Sequence, residues 1–147
     1  MTSVVLDTNV LASGFAGFLN LASTPGQLLH AWQGRQFELV VSEHIVGEVA
    51  HAFEDPYFRR RMTPEQISAA QSLLRRQATL TVITVQVQGI ATHPEDDLVL
   101  STAVSARVDY LVSGDGKLRR LGSYQGVRIV SPRQFLEEIQ TQEVERG

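Results

Sequence analysis

VVLD, residues 4–7, is the stretch that decides the fold, because a wholly apolar run ends there at an acid. Consecutive apolar residues with no polar residue between them are typical of a strand buried on both faces of a parallel sheet. Asp7 then falls at the carboxyl end of that strand. In open parallel sheets, ligands bind beyond the carboxyl ends of the strands, where connecting loops meet. The sequence therefore predicts a buried strand and a functional position directly after it.

Predicted strands and helices alternate along the rest of the chain. Further strands are predicted at residues 37–41, 79–87, 110–112 and 127–130. Helices are predicted from Thr24 through Trp32, after Ser42, from a Thr63–Gln66 capping box to about Ala78, from Pro94, and after Ser131. This alternation is typical of a parallel sheet with helices on both faces, so we expect an α/β fold.

Composition limits the classes of protein to consider. The chain has 147 residues, 43% of them hydrophobic, which favours a single domain over residues 1–147. It contains no cysteine, which excludes disulfides and thiolate zinc sites. With neither a basic leader nor a spanning apolar segment, we expect a cytoplasmic protein without membrane contact. A net charge of -3 gives no general attraction to nucleic acid, so such contacts would need local basic clusters or bound metal.

Acidic residues from three segments are predicted to meet at one edge of the sheet. Asp7 follows the first strand, and Asp96 with Asp97 opens the helix that leads into the strand at 110–112. Asp115 comes three residues after the end of that strand. Bringing these carboxylates together costs free energy unless a cation compensates. Oxygen ligands without a thiolate or an obvious histidine set favour Mg²⁺ or Mn²⁺ over zinc or copper.

Other charged residues add candidates around this edge. Glu48 lies beside the apolar stripe of its predicted helix, so its side chain has access to the same end of the sheet. His44, Glu48 and His51 share a helix face, but the second ExxH step of a di-iron bundle is missing, so both histidines are predicted to be surface or packing residues. Short basic clusters that suit RNA phosphates occur at Arg59–Arg61, at Arg75 with Arg76, and at Lys117 with Arg119 and Arg120. The last cluster is favoured because it directly follows Asp115.

Several motifs together resemble the PIN domain, especially the PIN-domain toxins of bacterial toxin-antitoxin systems. In chain order they are VVLDTNVL (4–11), SEHIVGE (42–48), HPEDDLVLSTA (93–103), DYLVSGDGKL (109–118) and IVSPRQFL (129–136). The resemblance extends from Val4 to about Leu136 and depends on the order and spacing of the motifs. It implies a three-layer α/β/α sandwich with a central parallel sheet. It also implies cleavage of single-stranded RNA by a water that Mg²⁺ or Mn²⁺ activates, a homodimer, and neutralisation by an antitoxin encoded nearby.

The resemblance also implies roles for individual residues. The catalytic acids fall on Asp7, Glu48, Asp96 and Asp115; three of them would hold the metal, and Glu48 would act through water. Asp97 is the alternative to Asp96, because the assignment can slip by one residue; the distance to Leu100 in the motif favours Asp96.

Three further polar residues, Asn9, Ser113 and Asp97, would support the acids. Ser113 replaces the more usual threonine and keeps its hydroxyl. His93 stands where the family pattern usually begins with an aspartate.

The expected function is therefore a metal-dependent endoribonuclease, the toxin of a type II toxin-antitoxin system. A non-catalytic PIN-like binding module is the main alternative. An aspartate-based phosphatase would also place an acid after the first strand, but it would need a second one where Asn9 stands. A receiver-like signalling domain would need its acidic pair near the start, whereas here the pair is Asp96 and Asp97.

Overall fold

The computed structural model describes residues 1–20 and 22–146, with side chains to residue 145. The described strands are β1 (Ser3–Leu6), β2 (Glu38–Val41), β3 (Thr79–Leu80), β4 (Tyr110–Val112), β5 (Ser123–Tyr124) and β6 (Val127–Val130). The described helices are α1 (Thr8–Ala16), α2 (Thr24–Gln33), α3 (Glu43–Ala52), α4 (Pro56–Arg59), α5 (Pro64–Gln77), α6 (Pro94–Ala106), α7 (Gly116–Leu121) and α8 (Pro132–Arg146). These elements form a sheet of six strands flanked by helices, which confirms the predicted α/β class.

Strands β1 and β4 lie side by side in the middle of the sheet, whose order is β3-β2-β1-β4-β6-β5. They run parallel, with Leu6 opposite Val112. The ladder continues past both strands, because the Asp7 amide donates to the Val112 carbonyl at 2.9 Å. The Ser113 amide donates in the same way to Val130 at 3.0 Å. The residues that follow β1 and β4 are therefore neighbours at the carboxyl edge.

One edge of the sheet differs from the all-parallel prediction. Strand β5 pairs antiparallel with β6 through a two-residue turn, Gln125–Gly126. Both turn residues have positive φ, 46° and 85°, which is the conformation of a type I′ hairpin. A turn this short joins only antiparallel strands, so β5 cannot continue the parallel pattern.

The core surrounds the central strands. Val4, Val5 and Leu6 are fully buried, as predicted for a strand covered on both faces. Helix α6 packs against β1, β2 and β4. Helix α8 adds Phe135, whose ring lies 5.3 Å from that of Phe37. Within the described residues, no helix is both long enough and apolar enough to cross a bilayer.

Helix starts mostly follow the capping signals of the sequence. The Thr63–Gln66 capping box has both of its reciprocal hydrogen bonds, at 2.8 and 3.1 Å. Ser42 caps α3, as predicted. Helix α2 begins at Thr24, but its cap is Ser23. Three helices that we did not predict, α1, α4 and α7, are each capped by an aspartate, Asp7, Asp55 and Asp115.

The strand predicted at residues 79–87 is wrong beyond Leu80. The last ladder bond on this side runs from the Thr81 amide to the Val41 carbonyl. The amides that follow instead donate to hydroxyls of α6, which lies alongside: Ser105 accepts from Thr84 and Val85, and Ser101 from Val87. Side chains of a helix thus satisfy the backbone that a neighbouring strand would otherwise pair.

Candidate metal and catalytic site

Asp7, Asp96 and Asp115 line one pocket of about 440 Å³ at the carboxyl edge of the sheet. Each acid comes from a different segment: the end of β1, the first turn of α6, and the loop after β4. The pocket is also lined by Asn9, Val10, Ser13, Pro25, Thr92, His93, Gly114 and Gly116. The structure therefore brings together three of the four acids that the sequence singled out.

Asp7 is almost fully enclosed, at 7% exposure. Its Oδ1 caps α1 by accepting the Val10 amide at 2.8 Å, and its Oδ2 accepts the Gly114 amide at 3.1 Å. Burial raises the pKa of Asp7 and outweighs these hydrogen bonds and another with Ser113, while the negative charge of Asp115 raises it further. The ionised form is thus held at an electrostatic cost that a nearby cation would relieve.

Asp96 is half-buried, and among the described residues its carboxylate accepts no hydrogen bond. Burial raises the pKa of Asp96, and the charges of Asp7 and Asp115 raise it further. The charge of His93 acts in the opposite direction. Asp96 is therefore electrostatically coupled to both other acids of the pocket.

Asp97 differs from its neighbour, because its carboxylate is turned into the protein at 8% exposure. It accepts the amides of Gly89, Ile90 and Ala91 at 3.0, 3.1 and 2.8 Å. Asp97 does not line the acidic pocket. Of the adjacent pair, Asp96 faces the pocket and Asp97 holds a loop.

Asp115 caps the short helix α7 through the Lys117 amide, at 2.8 Å. Thr92 donates two hydrogen bonds to the same carboxylate: its amide donates to Oδ2 at 3.0 Å and its hydroxyl to Oδ1 at 2.8 Å. Burial alone would raise the pKa of Asp115, but hydrogen bonds from Thr92, Lys117 and Leu118 outweigh it and lower the pKa. Of the three acids, Asp115 is therefore the one whose surroundings favour the ionised form.

Two of the three predicted supporting residues, Asn9 and Ser113, lie beside the acids of the pocket. Ser113 is buried beside two of them: its hydroxyl accepts the Asp115 amide at 3.0 Å, and its interaction with Asp7 lowers the pKa of that acid. Asn9 lines the pocket with an exposed side chain. A small hydroxyl residue at 113 therefore links the ends of β1 and β4.

Glu48 does not line the pocket. It is half-buried on α3, one turn beyond His44, whose Nε2 lies 3.2 Å from the Glu95 carbonyl oxygen. This contact joins the first turns of α3 and α6. Glu48 thus lies on a helix adjoining the site, outside the lining of the pocket.

The predicted basic cluster is on α7, which begins directly after Asp115. Its three side chains are exposed and do not line the pocket: Lys117, Arg119 and Arg120. Their placement beside the acidic pocket agrees with the order of residues in the sequence.

Two residues of the pocket were missed by sequence reasoning. The sequence predicts no functional role for His93 or for Thr92. A single threonine or histidine before a helix carries no periodic signal, and the contact between Thr92 and Asp115 joins residues far apart in the chain. The only available hint was their position directly before the Pro94 helix start.

The donors of the pocket fit a hard divalent cation, because all three charged groups are carboxylates. Among residues 1–20 and 22–146, no three Asp, Glu, His or Cys side chains already stand in an ion-binding cluster. Asp7 and Asp115 each have a hydrogen-bonded orientation, whereas Asp96 has none. Asp96 is thus the acid whose movement toward the other two breaks no hydrogen bond.

The fold and the site together define the class of protein. It is an α/β domain with acids at the carboxyl ends of its two central strands. A PIN domain family model matches residues 3–117, and the chain belongs to this family. VapBC2 from Rickettsia felis, solved bound to a promoter DNA fragment, is similar in fold, with 12% identity and a TM-score of 0.57. The match covers 87% of this chain and 97% of that one.

A second solved structure is similar in fold. It is VapC20 from Mycobacterium tuberculosis, described as a toxin that cleaves the sarcin-ricin loop. Identity is 16% and the TM-score is 0.53, over 85% of this chain and 98% of that one. A search of curated proteins gives no match.

Proposed function

We propose that this PIN domain is a metal-dependent endoribonuclease that hydrolyses single-stranded RNA and acts as the toxin of a type II toxin-antitoxin system. The observation that carries the proposal is the shared pocket of Asp7, Asp96 and Asp115. Three carboxylates from distant segments repel one another there: burial raises the pKa of Asp96, and the charges of Asp7 and Asp115 raise it further. Such an arrangement favours a cation as its partner.

Mg²⁺ or Mn²⁺ suits these donors, because both ions prefer carboxylate and water oxygens. Asp7, Asp96 and Asp115 would hold the ion. The chemistry expected from it is activation of water and neutralisation of charge on a phosphate.

The chain's own residues divide the remaining work. Glu48, on α3 outside the pocket lining, would position or deprotonate the attacking water from that adjoining helix. Asn9 and Ser113 orient the acids and the substrate from the carboxyl edge. Asp97 supports the site indirectly, because it holds the loop at residues 89–91.

RNA as the substrate is supported by the basic helix α7. The protein has a net charge of -3, so attraction of a polyanion must be local. Lys117, Arg119 and Arg120 supply exposed positive charge beside the pocket, suited to phosphate contacts. VapC20, which is similar in fold, is described as a toxin that cleaves the sarcin-ricin loop.

We also propose a cognate antitoxin and a homodimeric state. VapBC2, similar in fold over most of both chains, is a toxin-antitoxin complex solved on promoter DNA. Size-exclusion chromatography with light scattering tests the dimer. Co-expression with the product of an adjacent short reading frame tests the antitoxin.

A covalent phosphatase mechanism is disfavoured by the surroundings of Asp7. Its two carboxylate oxygens accept hydrogen bonds from Val10 and Gly114, and the residue is 7% exposed. An aspartate-based phosphatase would also need a second acid at the position of Asn9. The binding-module alternative is separated from the nuclease by experiment.

That experiment is cleavage of a mixed pool of single-stranded RNA by the purified protein in Mn²⁺, Mg²⁺ or EDTA. Asp7→Asn and Asp115→Asn are expected to lower the rate by roughly a hundredfold or more. Glu137→Gln, an exposed acid on α8, is the control for loss of one negative charge. Equal cleavage by wild type and Asp7→Asn would overturn the mechanism. No cleavage by any form, under all three conditions, would favour the binding module.

A further inference from the structure

The segment of residues 84–92 is fastened to α6 by side chains. Asp97, Ser101 and Ser105 are spaced four residues apart, so they share one face of the helix. Each accepts backbone N–H groups of the segment. The donors are the amides of Thr84, Val85, Val87, Gly89, Ile90 and Ala91, at 2.8 to 3.1 Å.

Asp97 provides the strongest of these attachments. A buried carboxylate that accepts three amides makes charge-assisted hydrogen bonds, which are stronger than those to a hydroxyl. Its three donors, at residues 89–91, immediately precede Thr92. The position of Thr92 is thus fixed from within the protein.

Thr92 ends the segment at the acidic pocket and binds both oxygens of Asp115, at 2.8 and 3.0 Å. Rotation of the carboxylate about its Cβ–Cγ bond would break both hydrogen bonds together. The other donors to this carboxylate, the amides of Lys117 and Leu118, belong to the helix that Asp115 itself caps. The orientation of Asp115 therefore depends on a residue far away in the chain.

We propose that Thr92 is a positioning residue for Asp115, and that Asp97 acts behind it by fixing the segment that carries Thr92. This inference rests on the proposed function, because it concerns how a metal-binding acid is presented. It assigns no contact with substrate to either residue.

A purely structural role for the hydroxyl is the competing explanation. Thr92 is exposed, and a hydrogen bond at an exposed position adds little to stability, because water replaces it readily. Groups that orient a metal ligand, in contrast, typically change metal affinity or activity by roughly tenfold or more. The two explanations therefore predict different measurements on the same variant.

The test compares Thr92→Val with Thr92→Ser. Valine keeps the shape and removes the hydroxyl, whereas serine keeps the donor. We measure Mn²⁺ binding by isothermal titration calorimetry without RNA, and separately kcat and KM for RNA cleavage. Thr92→Val is expected to weaken Mn²⁺ binding and lower kcat by roughly tenfold, with KM and Tm nearly unchanged. Thr92→Ser is expected to restore both.

Ser105→Ala is the matched control, because Ser105 holds the far end of the same segment, at Thr84 and Val85. It is expected to leave Mn²⁺ binding unchanged. Asp97→Asn tests the second part of the proposal. Its effect on Mn²⁺ binding is expected to be largely absent in a Thr92→Val background, because coupled residues are not additive.

The outcomes separate this inference from the proposed function. If wild type binds Mn²⁺ and cleaves RNA while Thr92→Val does both equally well, the inference fails and the nuclease remains. If wild type does neither, the proposed function fails and the inference fails with it. Full additivity of Asp97→Asn and Thr92→Val would overturn the role of Asp97.

Discussion

The Gly114 amide donates a hydrogen bond of 3.1 Å to Oδ2 of Asp7, joining residues 107 positions apart in the chain. It connects the loop after β4 to the acid after β1. The two strands that carry Asp7 and Asp115 are thus joined at their carboxyl ends as well as along their ladder. This bond orients one acid from the loop that supplies another.

Substitutions at Gly114 test this connection. A Cβ at this position would meet no atom within 4 Å, so Gly114→Ala is expected to change stability by less than about 0.5 kcal/mol. Gly114→Pro removes the N–H and is expected to cost about 2 kcal/mol, because a buried carboxylate loses a donor. Urea unfolding measures both. Equal stability of the two variants would contradict the importance of the hydrogen bond.

Asp96→Asn and Asp97→Asn are a matched pair of adjacent substitutions with opposite expectations. Asp96→Asn is expected to abolish cleavage while leaving Tm without metal unchanged or higher, since it removes a repelling charge. Asp97→Asn is expected to lose about 2 kcal/mol of stability, because its three amide donors lose a charged acceptor. Thermal unfolding in EDTA and RNA cleavage measure the two effects. Full cleavage by Asp96→Asn together with loss of cleavage by Asp97→Asn would reverse the assignment.

The pH dependence of stability is expected to follow the raised pKa values of Asp7 and Asp96. Because their folded pKa lies above the ordinary 3.8, the native state binds more protons in the window just above that value. These two acids therefore make stability fall as pH rises through the window. Asp115 has a lowered pKa, so its contribution is lost only as pH falls below 3.8.

Urea unfolding from about pH 4 to about pH 8, in EDTA and in excess Mg²⁺, measures this dependence. Other carboxylates also titrate, so the informative quantity is the difference between wild type and Asp96→Asn. That difference is expected to grow with pH in EDTA and to reverse in Mg²⁺, because the ion stabilises wild type alone. A difference independent of pH in EDTA would contradict the repulsion.

Removing positive charge from α7 is expected to weaken binding of RNA regardless of the RNA sequence. Arg119→Gln with Arg120→Gln should reduce the salt dependence of binding by up to about two charges, if both contact phosphates. Arg59→Gln with Arg60→Gln removes the same charge at the C-terminal end of α4, which, unlike α7, does not directly follow an acid of the pocket, and is the control. Binding is measured with Asp7→Asn, so that RNA stays intact, over a range of salt. Equal losses from both pairs would mean that only net charge matters.

The sequence predicted the positions of Asp7 and Asp115 because each follows a short, wholly apolar strand. Burial on both faces leaves such strands little choice but the centre of a parallel sheet, and the acids then fall at its carboxyl edge. Helix α1 was missed because its residues, TNVLASGFA, include small residues and no strong helix signal beyond the cap at Asp7. The residues around Asp7 indicated a functional site but did not indicate a helix.

Tertiary contacts account for the rest of what the sequence did not reveal. A β-branched stretch such as 81–87 favours extended backbone but does not say what satisfies its amides; here α6 does. The choice between Asp96 and Asp97 depends on which side of one helical turn faces the loop at 89–91. The hydrogen bonds from Thr92 to Asp115 join residues 23 positions apart, so no local pattern predicts them.

Asp7 and Asp115 each cap a helix and also line the pocket. A substitution at either position therefore affects both the helix start and the acidic site, to a degree that depends on the new residue. An alanine at either position removes the cap together with the acid, at about 1 kcal/mol of stability. Asparagine caps a helix about as well as aspartate, so it removes the charge and leaves the helix start intact. Aspartate and asparagine codons differ by one G-to-A change. Under the proposed function, a folded but inactive protein is thus one nucleotide change away at two separate places in the gene.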